Sequence, residues 1–120
     1  MEYETIVYLN VGGVVFQTLR STLETSTFFE ALLRTDPDRY EFFVDRDPTY
    51  FRHILNWLRG IRYVPDDSHT IQELLWECDY FTLVDMKDAL TRVKSRTSMG
   101  QSMHHLSLHV KQIANQMAST

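Results

Sequence analysis

The stretch F-F-V-D-R-D-P-T-Y-F-R-H-I-L-N-W-L-R-G, residues 42–60, holds a strand, a corner and a helix in close succession. Residues 41–45 (E-F-F-V-D) put an apolar centre between charged ends, which predicts a strand. Asp47-Pro48 then turns the chain. Asp47 is suited to cap a helix and Pro48 to its first turn, where a missing amide proton costs nothing. Tyr50-Phe51, Ile54-Leu55 and Leu58 recur at three-to-four spacing up to Gly60, a good C-terminal stop.

Upstream, T-I-V-Y-L-N (5–10) and V-V-F-Q-T-L (14–19) are both rich in β-branched and aromatic residues and flank Gly12-Gly13. The glycines supply positive φ at a tight turn, so the pair reads as a β-hairpin. Ser21-Thr22 and Thr25-Ser26-Thr27 offer helix caps, and Phe28, Phe29, Leu32 and Leu33 fall on one face of a short helix that ends before Thr35-Asp36-Pro37-Asp38. Downstream, Val64-Pro65-Asp66-Asp67 makes a turn, and Ile71, Leu74-Leu75, Cys78 and Phe81 mark an amphipathic helix. A second helix begins near Leu83-Val84-Asp85 and runs through Met86, Leu90 and Val93. The order is α/β: a small sheet, formed by the hairpin and a third strand, flanked by helices.

A chain of 120 residues, 43% hydrophobic and 12% aromatic, is one domain's worth of core. Its charge is unevenly distributed: all sixteen acids lie at or before Asp88 with eight bases, so residues 1–88 carry −8 and residues 89–120 carry +4. An acidic body would approach phosphates against its own field, which argues against nucleic acid as a partner. One cysteine, Cys78, allows no internal disulfide and falls short of a structural zinc site. No apolar run reaches the ~18 residues of a membrane span, and the acidic N-terminus is unlike a signal peptide. Together these point to a soluble, cytoplasmic protein with no membrane insertion.

The domain division expected is a body over 1–93, a hinge over 94–102 and a short amphipathic helical tail over 103–120. Within S-R-T-S-M-G-Q-S-M (95–103), Met99 opens a series continued by Met103, Leu106, Val110, Ile113 and Met117 at alternating spacings of four and three. That is an a/d seam, and at this length it needs a partner helix to be stable.

Catalytic templates fail on residue type or spacing. There is no G-x-S-x-G elbow, H-E-x-x-H, Walker loop or G-x-G-x-x-G, and Gly12-Gly13 leads into a strand where a phosphate loop would open a helix. Asp45 and Asp47 fit a strand-to-helix corner better than a carboxylate pair. His105 and His109, with His104 nearby, share a helix face without an acid or thiolate to complete a metal site. Cys78 lies on an apolar face and reads as a buried, inert thiol. Phe28, Phe29, Phe42, Phe43, Phe51, Trp57, Trp76, Tyr80 and Phe81 read most simply as core, and a few in excess of core needs would mark an interface, with sequence alone not saying which. No enzyme, cofactor or metal is expected.

Three collinear blocks, V-Y-L-N-V-G-G-V-V-F-Q-T-L-R-S-T-L (7–23), residues 42–60 above, and E-L-L-W-E-C-D-Y-F-T-L (73–83), resemble the BTB/POZ domain of the potassium-channel tetramerisation type. The wording is closest to the KCTD (potassium channel tetramerisation domain-containing) proteins, over about residues 5–90. The resemblance implies a BTB/POZ fold and a non-enzymatic module that self-associates into rings of four or five subunits. Many members also dock on cullin-three as ubiquitin-ligase adaptors. By position, Asp45, Arg46 and Asp47 would lie at the subunit interface, and Arg34, Asp36, Arg39 and Tyr40 in the neighbourhood that meets the cullin. The tail seam, Met103, Leu106, Val110, Ile113 and Met117, would extend the association or hold another protein's helix. A channel-type tetramerisation domain, or a competitor that occupies BTB or cullin surfaces without delivering substrate, is the alternative. Two departures stand out: the bridging His and Cys cluster of some channel domains is absent, and the segment R-T-D-P-D-R-Y-E (34–41) is shorter than the family commonly has.

Overall fold

The structure is a computed structural model that describes the backbone over residues 5–109 and side chains over residues 5–96. The elements run β1 (Ile6–Val11), β2 (Val14–Leu19), α1 (Arg20–Leu23), α2 (Thr27–Arg34), β3 (Glu41–Val44), α3 (Phe51–Leu58), α4 (Ser68–Phe81) and α5 (Val84–His109). This is the mixed α/β order expected, with β1 central in a sheet of order β2-β1-β3. Gly12 and Gly13 both take positive φ, +56° and +104°, as a two-residue I′ hairpin loop demands. Asn10 Oδ1 tightens the loop by accepting from the Gly13 amide at 2.8 Å. β3 then returns parallel to β1, with Tyr8 opposite Glu41 and Val11 opposite Val44.

Caps define the helices. Ser26, itself buried, accepts from the Phe29 amide at 3.2 Å and starts α2. Ser26→Ala should therefore cost ~1 kcal/mol in a denaturant titration, with a loss below a few tenths showing that the cap is dispensable. Asp67 starts α4 by accepting from the Thr70 amide and hydroxyl, which holds its carboxyl below the ordinary range. Thr82, at φ +53°, ends α4 in the left-handed conformation and lets α5 fold back against it.

One expectation needs correcting in detail. Helix α3 opens at Phe51, later than Asp47-Pro48, because Asp47 Oδ1 is taken by the Thr49 amide at 2.8 Å and by its hydroxyl. This local turn competes with helix capping, and Pro48 O accepts from Phe51 N to close it. Helix α5 runs on through residues 94–102. That stretch has one glycine and no proline, so nothing in it stops a helix outright.

The core lies between the inner face of the sheet and the helices. Val7, Leu9, Val11, Phe42 and Val44 point inward and meet Leu23, Phe29, Phe51, Ile54, Ile71, Leu74, Cys78, Phe81, Met86 and Leu90. Phe81 is its hub, with ring centroids 5.1 Å from Phe28, 5.2 Å from Phe29 and 5.5 Å from Phe51. Among the described residues no helix is long and apolar enough to cross a membrane.

Candidate functional site

Among the described residues no helix covers the outer face of the sheet. Side chains alternate along each strand, so cross-strand partners share a face. Leu19 and Ile6 form one row, Gln17, Tyr8 and Glu41 a second, and Val15, Asn10 and Phe43 a third. Ile6, Tyr8, Val15, Leu19 and Phe43 are 38–61% exposed, so five large apolar side chains crowd a surface only three strands wide. A contiguous patch of this kind marks an interaction surface. The sheet's edges are less inviting: Arg59 Nη2 donates to Gln17 O on β2 at 2.9 Å, and Arg39 Nε to Glu41 O on β3 at 2.8 Å.

Beside this face stands the corner Asp45-Arg46-Asp47. The structure separates the three. Asp45 and Asp47 are exposed, and the bonds from Thr49 hold the Asp47 carboxyl below its ordinary range. Arg46 turns toward α4, donating from Nη2 to Glu77 Oε2 at 2.5 Å and from Nε to Glu77 Oε1 at 3.2 Å, with its guanidinium 4.5 Å from the Tyr80 ring centroid. The paired hydrogen bonds raise its pKa against the opposing effect of burial. The corner is thus tied to α4 through Arg46 while its two carboxylates face solvent.

Arg34, Asp36, Arg39 and Tyr40 are all exposed on the approach to β3. Arg34 pairs with Glu30 one helical turn back at 2.5 Å, Arg39 lies 5.9 Å from the Phe42 ring centroid, and Tyr40 is 63% exposed. The tail residues Met103, Leu106, Val110, Ile113 and Met117 have side chains outside the described residues, as do His104, His105 and His109. Among the described residues no three His, Cys, Asp or Glu side chains are grouped to hold a metal.

Cys78 is buried as expected, and desolvation, reinforced by the charges of Asp79 and Asp85, pushes its thiol up to about 12. The aromatics divide between core and surface. Phe43, Trp76 and Tyr80 are not core, being 61%, 54% and 40% exposed. The signal for Phe43 was available, because β1 and β3 carry apolar residues on both faces and one layer of helices covers only one. For Trp76, its place among Glu73, Glu77 and Asp79 on α4 was the corresponding clue.

Comparison with known proteins adds an independent finding. The family model described as BTB/POZ domain matches residues 7–92. BTB/POZ domain-containing protein KCTD5 from Homo sapiens is 32% identical over 111 residues, covering 82% of this chain and 47% of that protein. Human KCTD17 is 40% identical over 85 residues, covering 64% and 27%, and FH protein interacting protein FIP2 from Arabidopsis thaliana is 34% identical over 106 residues, covering 81% and 35%. The chain therefore spans about half the length of KCTD5 and less of the other two.

Proposed function

The chain belongs to the BTB/POZ family, in its potassium-channel tetramerisation type, and from that membership we propose a protein-interaction module that assembles with copies of itself into a ring of four or five. The observation that carries this reading is the uncovered sheet face, Ile6, Tyr8, Val15, Leu19 and Phe43, whose apolar area is unfavourable in water and favourable against another subunit. The solvent-facing Asp45 and Asp47 beside it, held in place by Arg46 and Glu77, supply charge that fixes register more than affinity. The role is adaptor-like, without catalysis or cofactor, in the cytoplasm. Cullin-three is the further partner, met through Arg34, Asp36, Arg39 and Tyr40, and the 103–117 seam takes a helix from another subunit or another protein.

Light scattering of the purified chain tests the assembly. An oligomer is expected, four subunits or five, and a monomer at micromolar concentration overturns it. Tyr8→Glu combined with Phe43→Asp should release monomers whose far-ultraviolet circular dichroism is unchanged, since neither side chain is in the core. An intact ring from that double variant would remove the sheet face from the reading. For cullin-three, binding to its N-terminal region that is lost in Tyr40→Ala supports the docking surface, and no binding removes it.

A further inference from the structure

Helix α5 runs antiparallel to α4, and two side-chain bonds fix their register: Lys87 Nζ donates to Asp79 Oδ1 at 2.6 Å and Lys94 Nζ to Gln72 Oε1 at 2.7 Å. Both pairs share one alignment, which, carried back to Ser68 at the start of α4, sets residue 98 opposite it. From residue 99 to His109 the helix therefore runs ~16 Å past the end of α4. The apolar spacing changes at the same point. Met86, Leu90 and Val93 recur at four and three and pack into or against the core, but the next apolar residue is Met99, six positions on, where Met103 and Leu106 resume the series. Six residues advance a helix by about one and two-thirds turns, so the second stripe lies on the far side of α5 from the first. Within the body that far side is polar, with Asp88, Thr91, Arg92 and Ser95 all exposed.

A continuous helix cannot turn its second stripe onto the body that the first stripe packs against. The positions from Met99 onward therefore need cover from outside the subunit. The flanking positions point to what covers them. With Met103 at a and Leu106 at d of a heptad, the e and g positions between residues 100 and 116 hold no Asp, Glu, Lys or Arg, and Ser102, Ser107 and Ala114 among them are small. Charges at e and g are what select a foreign partner helix, whereas an uncharged seam meets its own copy without like-charge repulsion. Small flanks also leave room for more than two helices about one axis, because e and g become buried as helices are added.

We propose that the α5 tails of one ring converge on its axis and pack as a parallel bundle through Met99, Met103, Leu106, Val110, Ile113 and Met117, the occupant of each seam being the same segment of the neighbouring subunits. The inference rests on the ring proposed above and adds where α5 stands in it, on the axis side of each subunit. Cyclic symmetry sends every copy of α5 out on one side of the ring in the same direction, which is what a parallel bundle requires. Tethering supplies the rest. About two and a half heptads are too short to hold free chains together, but copies fixed in a ring meet at an effective concentration on the order of millimolar, where a weak seam suffices.

Cross-linking of the purified full chain tests the bundle, since Cys78 is buried and leaves an introduced thiol as the reactive one. Leu106→Cys and Ile113→Cys, both at d, should each be joined by a short bis-maleimide to the same position of a neighbouring subunit, while Gln101→Cys, at the outward f position, should not. Only a parallel bundle joins both d positions to their own copies, because antiparallel helices centred on one would separate the other. The yield should hold on ~10-fold dilution, as expected for a link within one ring. Light scattering of the same samples separates the two readings: a monomer removes the ring and the bundle with it, whereas a ring without links at 106 and 113 removes the bundle alone. Equal linking at 101, or a yield that falls on dilution, would also overturn it. Leu106→Asp combined with Ile113→Asp should keep the subunit count and raise the concentration at which rings dissociate ~10-fold or more, and an unchanged value would count against the bundle.

Discussion

Phe81→Ala is expected to destabilise the domain by about 3–5 kcal/mol, the range for removing a fully buried aromatic ring. Phe81 is 0% exposed and packs against Phe28, Phe29 and Phe51, which come from α2 and α3 while Phe81 itself closes α4. Its ring is therefore the point at which three helices meet. Its neighbours cannot collapse into the space without dragging α2 or α3 with them, so most of the cavity stays open. Total stability for a domain of this size is about 5–15 kcal/mol, which makes the loss a large fraction of it. Chemical denaturation at fixed protomer concentration measures it, since assembly would otherwise make the midpoint depend on concentration. A loss below ~1 kcal/mol would show that the three-helix junction is not what holds the core together.

The hairpin, the helical face of Tyr50-Phe51, Ile54-Leu55 and Leu58, and the two C-terminal helices were legible in the sequence because each depends on residues close together in the chain. Gly12-Gly13 between two β-branched runs has few other solutions, and Asp67 before an apolar periodicity is a cap on local chemistry alone. The start of α3 was less legible because Asp47 had two uses of similar strength, and the local bond to Thr49 prevailed. The Arg46–Glu77 pair spans 31 residues and leaves no periodic trace. Likewise, Tyr63 looks like an ordinary loop residue until the reversal at Gly60 lays its ring on His53. Exposure of Phe43 was readable in principle: a strand that is apolar on both faces asks for two covers, and counting the helical layers available would have exposed the shortfall. What local pattern cannot supply is which of the two faces the chain leaves open.

Gly12→Ala should destabilise the domain by about 2–5 kcal/mol, while Gly13→Ala, one residue on, should cost only about 1–2 kcal/mol. Both positions have positive φ, so both variants carry the strain of an L-residue in the left-handed half of conformational space. The surroundings differ. A Cβ on Gly13 meets nothing within 4 Å, whereas one on Gly12 would overlap the Arg46 carbonyl oxygen and crowd Pro48 Cδ at 3.2 Å. The obstacle is backbone, and backbone pinned from several sides. Gly12 N donates to Val44 O at 3.0 Å, Arg46 N to Val44 O at 2.9 Å, and the Arg46 side chain is locked on Glu77. Neither the hairpin tip nor the corner can move away without breaking one of these, which adds about 1–3 kcal/mol to the conformational strain. Paired denaturant titrations of the two variants isolate that term, because the shared strain cancels in the difference. Equal losses would mean that the hairpin and the corner are not in register through Gly12. A larger loss for Gly12→Ala has a second consequence: relief of the overlap must displace Asp45 and Asp47, so a folded Gly12→Ala chain should also assemble less well in light scattering than Gly13→Ala.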